Sequence, residues 1–293
     1  MRHIFIDEDI RVLEGAEAQR HLAERNDLPF LDPASGVVAV SPERWALAQR
    51  AEQAHWMRRG IGAQDDRNRQ HLLSFRSFEA LRGRSFRHAL EIGCGPFTNL
   101  RLIGRTCKIG RCTLLDPLVR SYLSHPYCYY DERMLDLGPT GVAGRIARKL
   151  LPRCYRAAQR AMGRCIPVAA LEPAPIETYV PRSRFDLVVM INVLEHCFDG
   201  RRVFGNILAA CEPGAAFVFM DALYDAAPMA DSLARQYDAA HPLKVDRRVL
   251  LDFLQSNFDE LFSRVVPRHS TRTDAGEHLD WHELFYAGTR KTT

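Results

Sequence analysis

The segment Ala89-Leu-Glu-Ile-Gly-Cys-Gly-Pro-Phe-Thr-Asn-Leu100 constrains this chain more than any other. A short apolar run passes directly into a glycine turn and then into a helical pattern, which is the opening of a β-α-β unit. Such a turn stands at the carboxyl end of a strand, where open α/β sheets bind ligands. Gly93 and Gly95 lack a Cβ, so a ligand can press against the backbone. The following helix offers free N–H groups and a positive dipole end to a negative group. A glycine pair alone is shared with nicotinamide enzymes and with ordinary tight turns. The full dinucleotide fingerprint needs a third glycine at position 98, and this chain has Thr98 behind the bulky Phe97. Glu91 also suits an ammonium group better than a pyrophosphate.

From Phe86 onward, short apolar runs alternate with helical stretches. Strands are expected at about 87–92, 112–115, 166–169, 185–191, 215–220, 261–266 and 282–289, giving a doubly wound, seven-stranded, mostly parallel sheet. Pro213-Gly214 turns into the fifth strand, and Asp246 to Phe258 reads as an amphipathic helix leading to the sixth. Upstream, residues 1–84 read as a mostly helical cap and 85–293 as the core. Ile10, Leu13 and Ala16 begin one helical stripe. Ser41-Pro42 supplies an N-cap and a first-turn proline for a helix carrying Trp45, Ala48, Glu52, His55 and Trp56 along one side. Glu52 weakens that stripe. Leu72, Phe75, Phe78 and Leu81 mark a further helix.

Between Asp116 and Glu172 lie 55 residues, more than a crossover helix needs, so an insertion at about 120–165 follows the second strand. Within it Arg145, Lys149, Arg153, Arg156, Arg160 and Arg164 recur every three or four residues with Arg148 beside them, and no acid intervenes. Ile146, Leu150, Cys154, Ala157, Ala161 and Cys165 follow one position on, producing an amphipathic helix pair joined at Pro152. This row reads as a solvated face, as a clamp for an anionic acceptor, or as a surface for membrane or RNA. The single aromatic there, Tyr155, disfavours RNA. The net charge of +4 is too small to attract an anionic partner without such clustering.

Eight cysteines without a C-x-x-C pair suit reduced thiols in a cytoplasm and give no local metal-ligand spacing. Charges interrupt every apolar run before it reaches membrane-spanning length, so no span is expected.

Two further elements follow the glycine turn. Cys112-Thr-Leu-Leu-Asp116 is a short strand ending in an acid 23 residues after Gly93, where a carboxylate can accept both hydroxyls of a ribose. Phe185 to Ile191 is a buried strand whose carboxyl end carries Asn192 to His196 toward the same crevice. Together "LEIGCGPFTN", "LLDP", "FDLVVMINVLEH" and "CEPGAAFVF" resemble the successive motifs of class I S-adenosylmethionine-dependent methyltransferases, small-molecule branch, over about residues 85–290. The upstream "ERWALAQRAEQAHW" resembles the cap helix of some bacterial members.

The resemblance implies a Rossmann-like fold with S-adenosyl-L-methionine as cofactor. Glu91, Gly93 and Gly95 would cradle its methionine portion, Asp116 its ribose, and Glu172 its adenine amino group, with Glu177 as rival. Asn192 would lie beside the sulfonium. Trp56 has two readings, closing over the cofactor or packing the cap onto the core. His196 and His241 are the candidate general bases, each against the bland reading of a loop-ordering histidine, while Tyr224 and Tyr237 flank the acceptor region and His282 reads as structural. The expected acceptor is an oxygen, with nitrogen second, on a small polar or anionic metabolite or glycan. The competing classes are a non-catalytic cofactor-binding partner or sensor, an RNA methyltransferase and, more distantly, a nicotinamide oxidoreductase.

Overall fold

Along Phe185–Ile191 the side chains alternate between two hydrophobic cores. Val188 and Met190 pack on one face, Leu187, Val189 and Ile191 on the other, because successive residues of a strand point to opposite sides. Leu90 and Ile92 join the first core and Ala89 the second, so the central strands are buried on both faces. This burial pattern is why they read as unbroken apolar runs, and each fully buried Val, Leu or Ile contributes about 1.5–3 kcal/mol. A computed structural model describes residues 4–6, 11–13, 42–58, 62, 66–139, 142–223, 240–243, 245, 247–269 and 280–292.

In chain order the described strands are β1 Ile4–Ile6, β2 Arg11–Leu13, β3 Ser85–Ile92, β4 Lys108–Leu115, β5 Met134–Asp136, β6 Cys165–Glu172, β7 Phe185–Ile191, β8 Cys211–Leu223, β9 Phe258–His269 and β10 Asp280–Arg290. The helices are α1 Pro42–Met57, α2 Asn68–Ser74, α3 Leu100–Ile103, α4 Val119–Tyr122, α5 Val142–Leu150, α6 Pro152–Ala161, α7 Gly200–Ala210 and α8 Arg247–Asn257. The main sheet has the order β5-β6-β4-β3-β7-β8-β10-β9. Strands β6, β4, β3, β7 and β8 run parallel, β10 lies antiparallel to both β8 and β9, and β5 is antiparallel to β6 at the opposite edge. The chain goes from β3 outward to β4 and returns to β7 on the other side of β3, so the direction of winding reverses there. A crevice opens at such a switch point. Helices α7 and α8 cover one face through Val203, Ile207, Leu250 and Leu254, whereas α3, α4 and Phe75, Phe78 and Leu81 cover the other.

The doubly wound sheet expected from the sequence is present, with eight strands rather than seven. The addition, β5, is three residues long and edge-paired, too short to leave a periodic signal. Three local expectations fail. Residues 11–13 form a strand paired with 4–6, not part of a helix; Ile10 and Ala16 lie outside the described residues. The helix of Leu72 to Leu81 stops at Ser74, since Arg76, Ser77 and Phe78 all take left-handed backbone angles, and a short 3-10 segment follows. Burial of Phe75, Phe78 and Leu81 outweighs that local cost. Finally, Phe258 opens β9 instead of closing α8. Helix α1 begins at Pro42 as expected, while Ser41 lies outside the described residues.

Candidate active site

The glycine turn is shaped by two different demands. Gly93 has φ +65°, and a Cβ there would lie 2.2 Å from Val193 Cγ2, so the close approach of the β7 tip excludes any side chain. Gly95 has φ +50°, and the direction of its absent Cβ is open. Its N–H donates to Asp116 Oδ2 at 3.2 Å, and Leu118 N–H donates to Oδ1 at 2.8 Å. The first turn therefore orients the acid of the second strand. Burial pushes the Asp116 carboxyl up to about 6, opposed by these two N–H groups and reinforced by the nearby Glu52 charge.

Glu91 occupies a different place from the one expected of it. It is almost fully buried and lies behind the crevice, not on its wall. The Thr98 hydroxyl donates to Oε2, Asn99 N–H donates to Oε1 at 2.6 Å, and Leu100 N–H donates to Oε2 at 3.2 Å. The N–H groups predicted to face a ligand are thus consumed by Glu91, and α3 is a single turn. Burial raises the Glu91 carboxyl to about 7 despite those three donors.

Above this turn lies a cleft of about 570 Å³. Its walls are Gly93 to Asn99, Leu115 to Leu118, Ala174 to Glu177, Ile191 to Val193, and His196 and Cys197; Trp45, Gln49, Glu52 and Trp56 of α1 face them. Asn192, at the tip of β7, is exposed to the cleft with φ +59°. The side chain of Glu172 is not on the wall; its carbonyl accepts from Asp116 N–H at 3.1 Å. Its rival Glu177 is on the wall. Phe198 and Asp199 N–H groups donate to Glu177 Oε1 at 2.5 and 3.2 Å, while Oε2 is buried without a hydrogen-bond partner among the described residues. Burial raises this carboxyl too. A buried acceptor lacking a donor matches a ligand that brings an N–H.

His196 ends a 3-10 turn, Leu194–His196, that Asp221 holds in place by accepting from Val193 and Leu194 N–H groups at 3.1 and 2.7 Å. Burial, with Glu195 nearby, raises the Asp221 carboxyl. His196 Nδ1 donates to the Ala240 carbonyl at 3.0 Å. A carbonyl only accepts, so Nδ1 carries the proton and Nε2 holds the lone pair of the neutral ring. The indole N–H of Trp45 donates to the His196 carbonyl at 3.1 Å, which ties α1 to the turn. His241 lies off the wall with its ring 4.5 Å from that of His196. Trp56 lines the cleft and also packs edge-on against Phe97 at 5.6 Å, so the geometry joins its two expected positions. Tyr224 and Tyr237 lie outside the described residues.

The sequence matches a family model described as "Methyltransferase domain" over residues 54–250, two thirds of the chain. The chain belongs to this methyltransferase family. Among solved structures the methyltransferase is similar to the N-methyltransferase NodS from Bradyrhizobium japonicum WM9 in complex with S-adenosyl-l-homocysteine, at 18% identity and TM-score 0.45, over 85% of this chain and 99% of that one. It is also similar to the Burkholderia thailandensis 1,6-didemethyltoxoflavin-N1-methyltransferase, at 15% identity and TM-score 0.46, over 99% and 100%. No curated protein matches the sequence.

Two features of the methyltransferase were misread from sequence. Trp45, Gln49, Glu52 and Trp56 recur at helical spacing and all face the cleft, so Glu52 belongs to a working face of α1 and is no flaw in a core stripe. The mixture of indoles and polar groups on one stripe was the available signal; the buried residues of α1 are Arg44, Leu47 and Ala48. The described side chains of the basic row, in turn, are neither at the cleft wall nor wholly uncompensated. Arg148 reaches Asp136 at 3.5 Å and lies over the Tyr129 ring at 3.8 Å, and Arg156 reaches Asp131 at 2.8 Å. The apolar stripe of Ile146, Leu150, Cys154, Ala157 and Ala161 is exposed. Tyr155 and Gln159 make the inward face of α6 instead.

Proposed function

We propose that this enzyme methylates a hydroxyl oxygen of a small polar metabolite or glycan, with His196 as general base. The observation that carries the reading is the place of His196 on the cleft wall, in the turn that follows β7, with its ring oriented by the Nδ1 bond to the Ala240 carbonyl. S-adenosyl-L-methionine is the methyl donor, and when bound it supplies an electrophilic methyl carbon on a sulfonium. The chain's own residues fit it. The Asp116 carboxylate would accept the ribose hydroxyls, Glu177 Oε2, which has no hydrogen-bond partner among the described residues, would accept the adenine amino group in place of Glu172, and Gly95 would leave room for the methionine portion beside Asn192, with Gly93 admitting Val193 behind the turn. Glu91 acts one layer back by fixing the turn, and Trp56 closes the α1 side.

Alignment of acceptor, methyl carbon and sulfur is the main task of such a site, and held geometry supplies up to about 7–11 kcal/mol of barrier reduction. The hydroxyl must also lose its proton, and a base in hydrogen-bond reach contributes about 10²- to 10⁴-fold. An anionic acceptor has less to recommend it, because no described side chain of 142–164 lines the cleft and Glu52, Asp116, Glu177 and Glu283 do. A nitrogen acceptor is the second reading, favoured by the Glu52 carboxylate between Trp45 and Trp56, a surround suited to an ammonium. Residues 1–84 act as the cap and 85–293 as the catalytic core; of the 120–165 insertion Tyr122 lines the cleft, and no described side chain of α5 or α6 does. Among the described residues no helix is long and apolar enough to cross a membrane, and the eight cysteines form no disulfide. A cytoplasmic setting suits those thiols.

The test is incubation with methyl-labelled cofactor and fractionated cell extract, followed by mass spectrometry of the labelled product. His196→Ala should retain cofactor affinity and lose turnover by 10²-fold or more, by the general-base estimate. Full turnover in that variant removes the base assignment, and labelled amines in place of ethers select the nitrogen reading.

A further inference from the structure

The helices α5 and α6 pack against each other and present an apolar stripe to solvent. Ile146 is 52% exposed, Leu150 69%, Leu151 60% and Met162 56%. On α6 the stripe continues as Cys154, Ala157 and Ala161, all exposed, and beside it Arg153, Arg156 and Arg160 stand exposed at intervals of three and four. Among the described side chains of α6 only Tyr155 and Gln159 are buried, so the helix touches the body of the protein along a narrow inward edge. The segment 142–164 carries seven Lys and Arg and no Asp or Glu. Four large apolar side chains held in water beside a dense cationic row are costly unless something covers them.

We propose that α5 and α6 form a docking surface for an anionic lipid bilayer, with Ile146, Leu150, Leu151 and Met162 entering the interface and the exposed Arg153, Arg156 and Arg160 meeting the headgroups. An amphipathic helix lying in the plane of a membrane has this composition, an aliphatic face bordered by Lys and Arg with little net hydrophobicity. A second copy of the chain is disfavoured because pairing this face with itself would bring two uniformly positive segments together. RNA is disfavoured because the exposed stripe is aliphatic and its single aromatic, Tyr155, is buried, leaving nothing for bases to stack on. The hairpin is fixed to the body by Arg148, which donates to the Cys128 carbonyl at 2.8 Å and lies over Tyr129. Tyr129 in turn contacts Phe97 of the cleft wall, so a docked hairpin would hold the cleft close to the membrane surface.

The experiment is co-sedimentation of the full chain with vesicles of equal parts phosphatidylglycerol and phosphatidylcholine, and with vesicles of phosphatidylcholine alone, at low and high salt. The expected result is binding to the mixed vesicles, weakened by salt, and little binding to the neutral ones. Leu150→Glu combined with Leu151→Glu should weaken partition at least about tenfold, and Arg153→Glu at least about fivefold. These side chains are exposed, so thermal unfolding and cofactor binding should match the parent and certify the fold. Salt dependence of the parent protein stands as a second, variant-free readout. Absence of sedimentation with the mixed vesicles, or equal binding by the double variant, overturns the proposal. So does a dimer in sizing experiments that the double variant dissolves without any vesicle binding, which would assign the face to a second copy.

Discussion

Glu52 Oε2 lies 3.9 Å from His196 Nδ1, joining the helix α1 to the turn that follows β7 across the mouth of the cleft. The same carboxylate accepts from the Trp56 indole N–H at 2.5 Å, so one side chain connects the two halves of the α1 face that looks into the site. A negative group beside the protonated nitrogen favours an imidazole that takes a second proton at Nε2, the change a general base undergoes.

Glu52→Gln separates this charge from the hydrogen bond, because the amide oxygen can still accept from Trp56. Turnover should fall by up to about fivefold, the range for a partly exposed charge pair, with thermal stability nearly unchanged. Glu52→Ala should lose stability as well, since the indole N–H then lacks its acceptor. Equal turnover in the parent and Glu52→Gln enzymes, measured by product formation under saturating cofactor, would dismiss the charge contribution.

Asp116→Ala should weaken binding of S-adenosylhomocysteine by on the order of 1.5–3 kcal/mol, the range for hydrogen bonds to a charged group. The carboxyl titrates at about 6, and accepting two hydroxyls calls for its ionised form, so affinity in the parent protein should rise as pH increases through that value. Calorimetry between about pH 5 and 7 checks both statements. A flat affinity profile, or a variant that binds like the parent, leaves the ribose without its acceptor.

Gly93→Ala adds a methyl group 2.2 Å from Val193 Cγ2 at a residue with φ +65°. The backbone term alone costs roughly 1–2 kcal/mol, and the clash adds to it. Shortening Val193 to Ala in the same chain removes the two closest contacts, at 2.2 and 2.6 Å, and leaves Val193 Cβ at 3.0 Å with the backbone term, so the double variant should unfold at a higher denaturant concentration than Gly93→Ala. Strict additivity of the two substitutions would mean that Val193 is not what excludes a side chain at position 93.

The Glu91 carboxyl is raised from its ordinary value of 4.5 to about 7 in the folded protein. The native state then holds this proton more tightly than the unfolded chain. The associated stability is complete below about 4.5 and is lost as pH rises through about 7. Glu91→Gln removes the titration and should flatten the fall of the melting temperature across that window, at the expense of a weaker cap on α3. A pH profile as steep as that of the parent would show that the slope arises elsewhere, for example at Asp116 or Asp221.

Much of the site was legible because its logic is local. The run into Gly93 and Gly95 announces a strand followed by a sharp turn, and a short strand ending at Asp116 places a carboxylate beside that turn. Gly95 and Asp116 do meet, through an N–H and a carboxylate oxygen 3.2 Å apart. The strand Phe185–Ile191 matches its expected limits because burial on both faces makes it continuously apolar. Glu91 was legible as a functional carboxylate but not as to its direction, since a side chain at the last turn of a strand can face the ligand or the helix behind it. Glu172 ends β6 and Glu177 lies five residues on in the 3-10 turn Ile176–Thr178, and only the path of the chain between them turns one toward the cleft.

The order and apolar continuity of the central strands, the backbone freedom of the glycine turn and the presence of acids at the strand tips are written in the chain itself. These depend on residue type and near-neighbour spacing, which a chain carries before it folds. Tertiary structure alone decided that Glu52 approaches His196, that Glu91 is spent on α3, that β5 joins the sheet edge and that the apolar stripe of α5 and α6 faces outward. Each of these is a choice between two sides of an element, and periodicity defines the sides without saying which one the rest of the chain will cover.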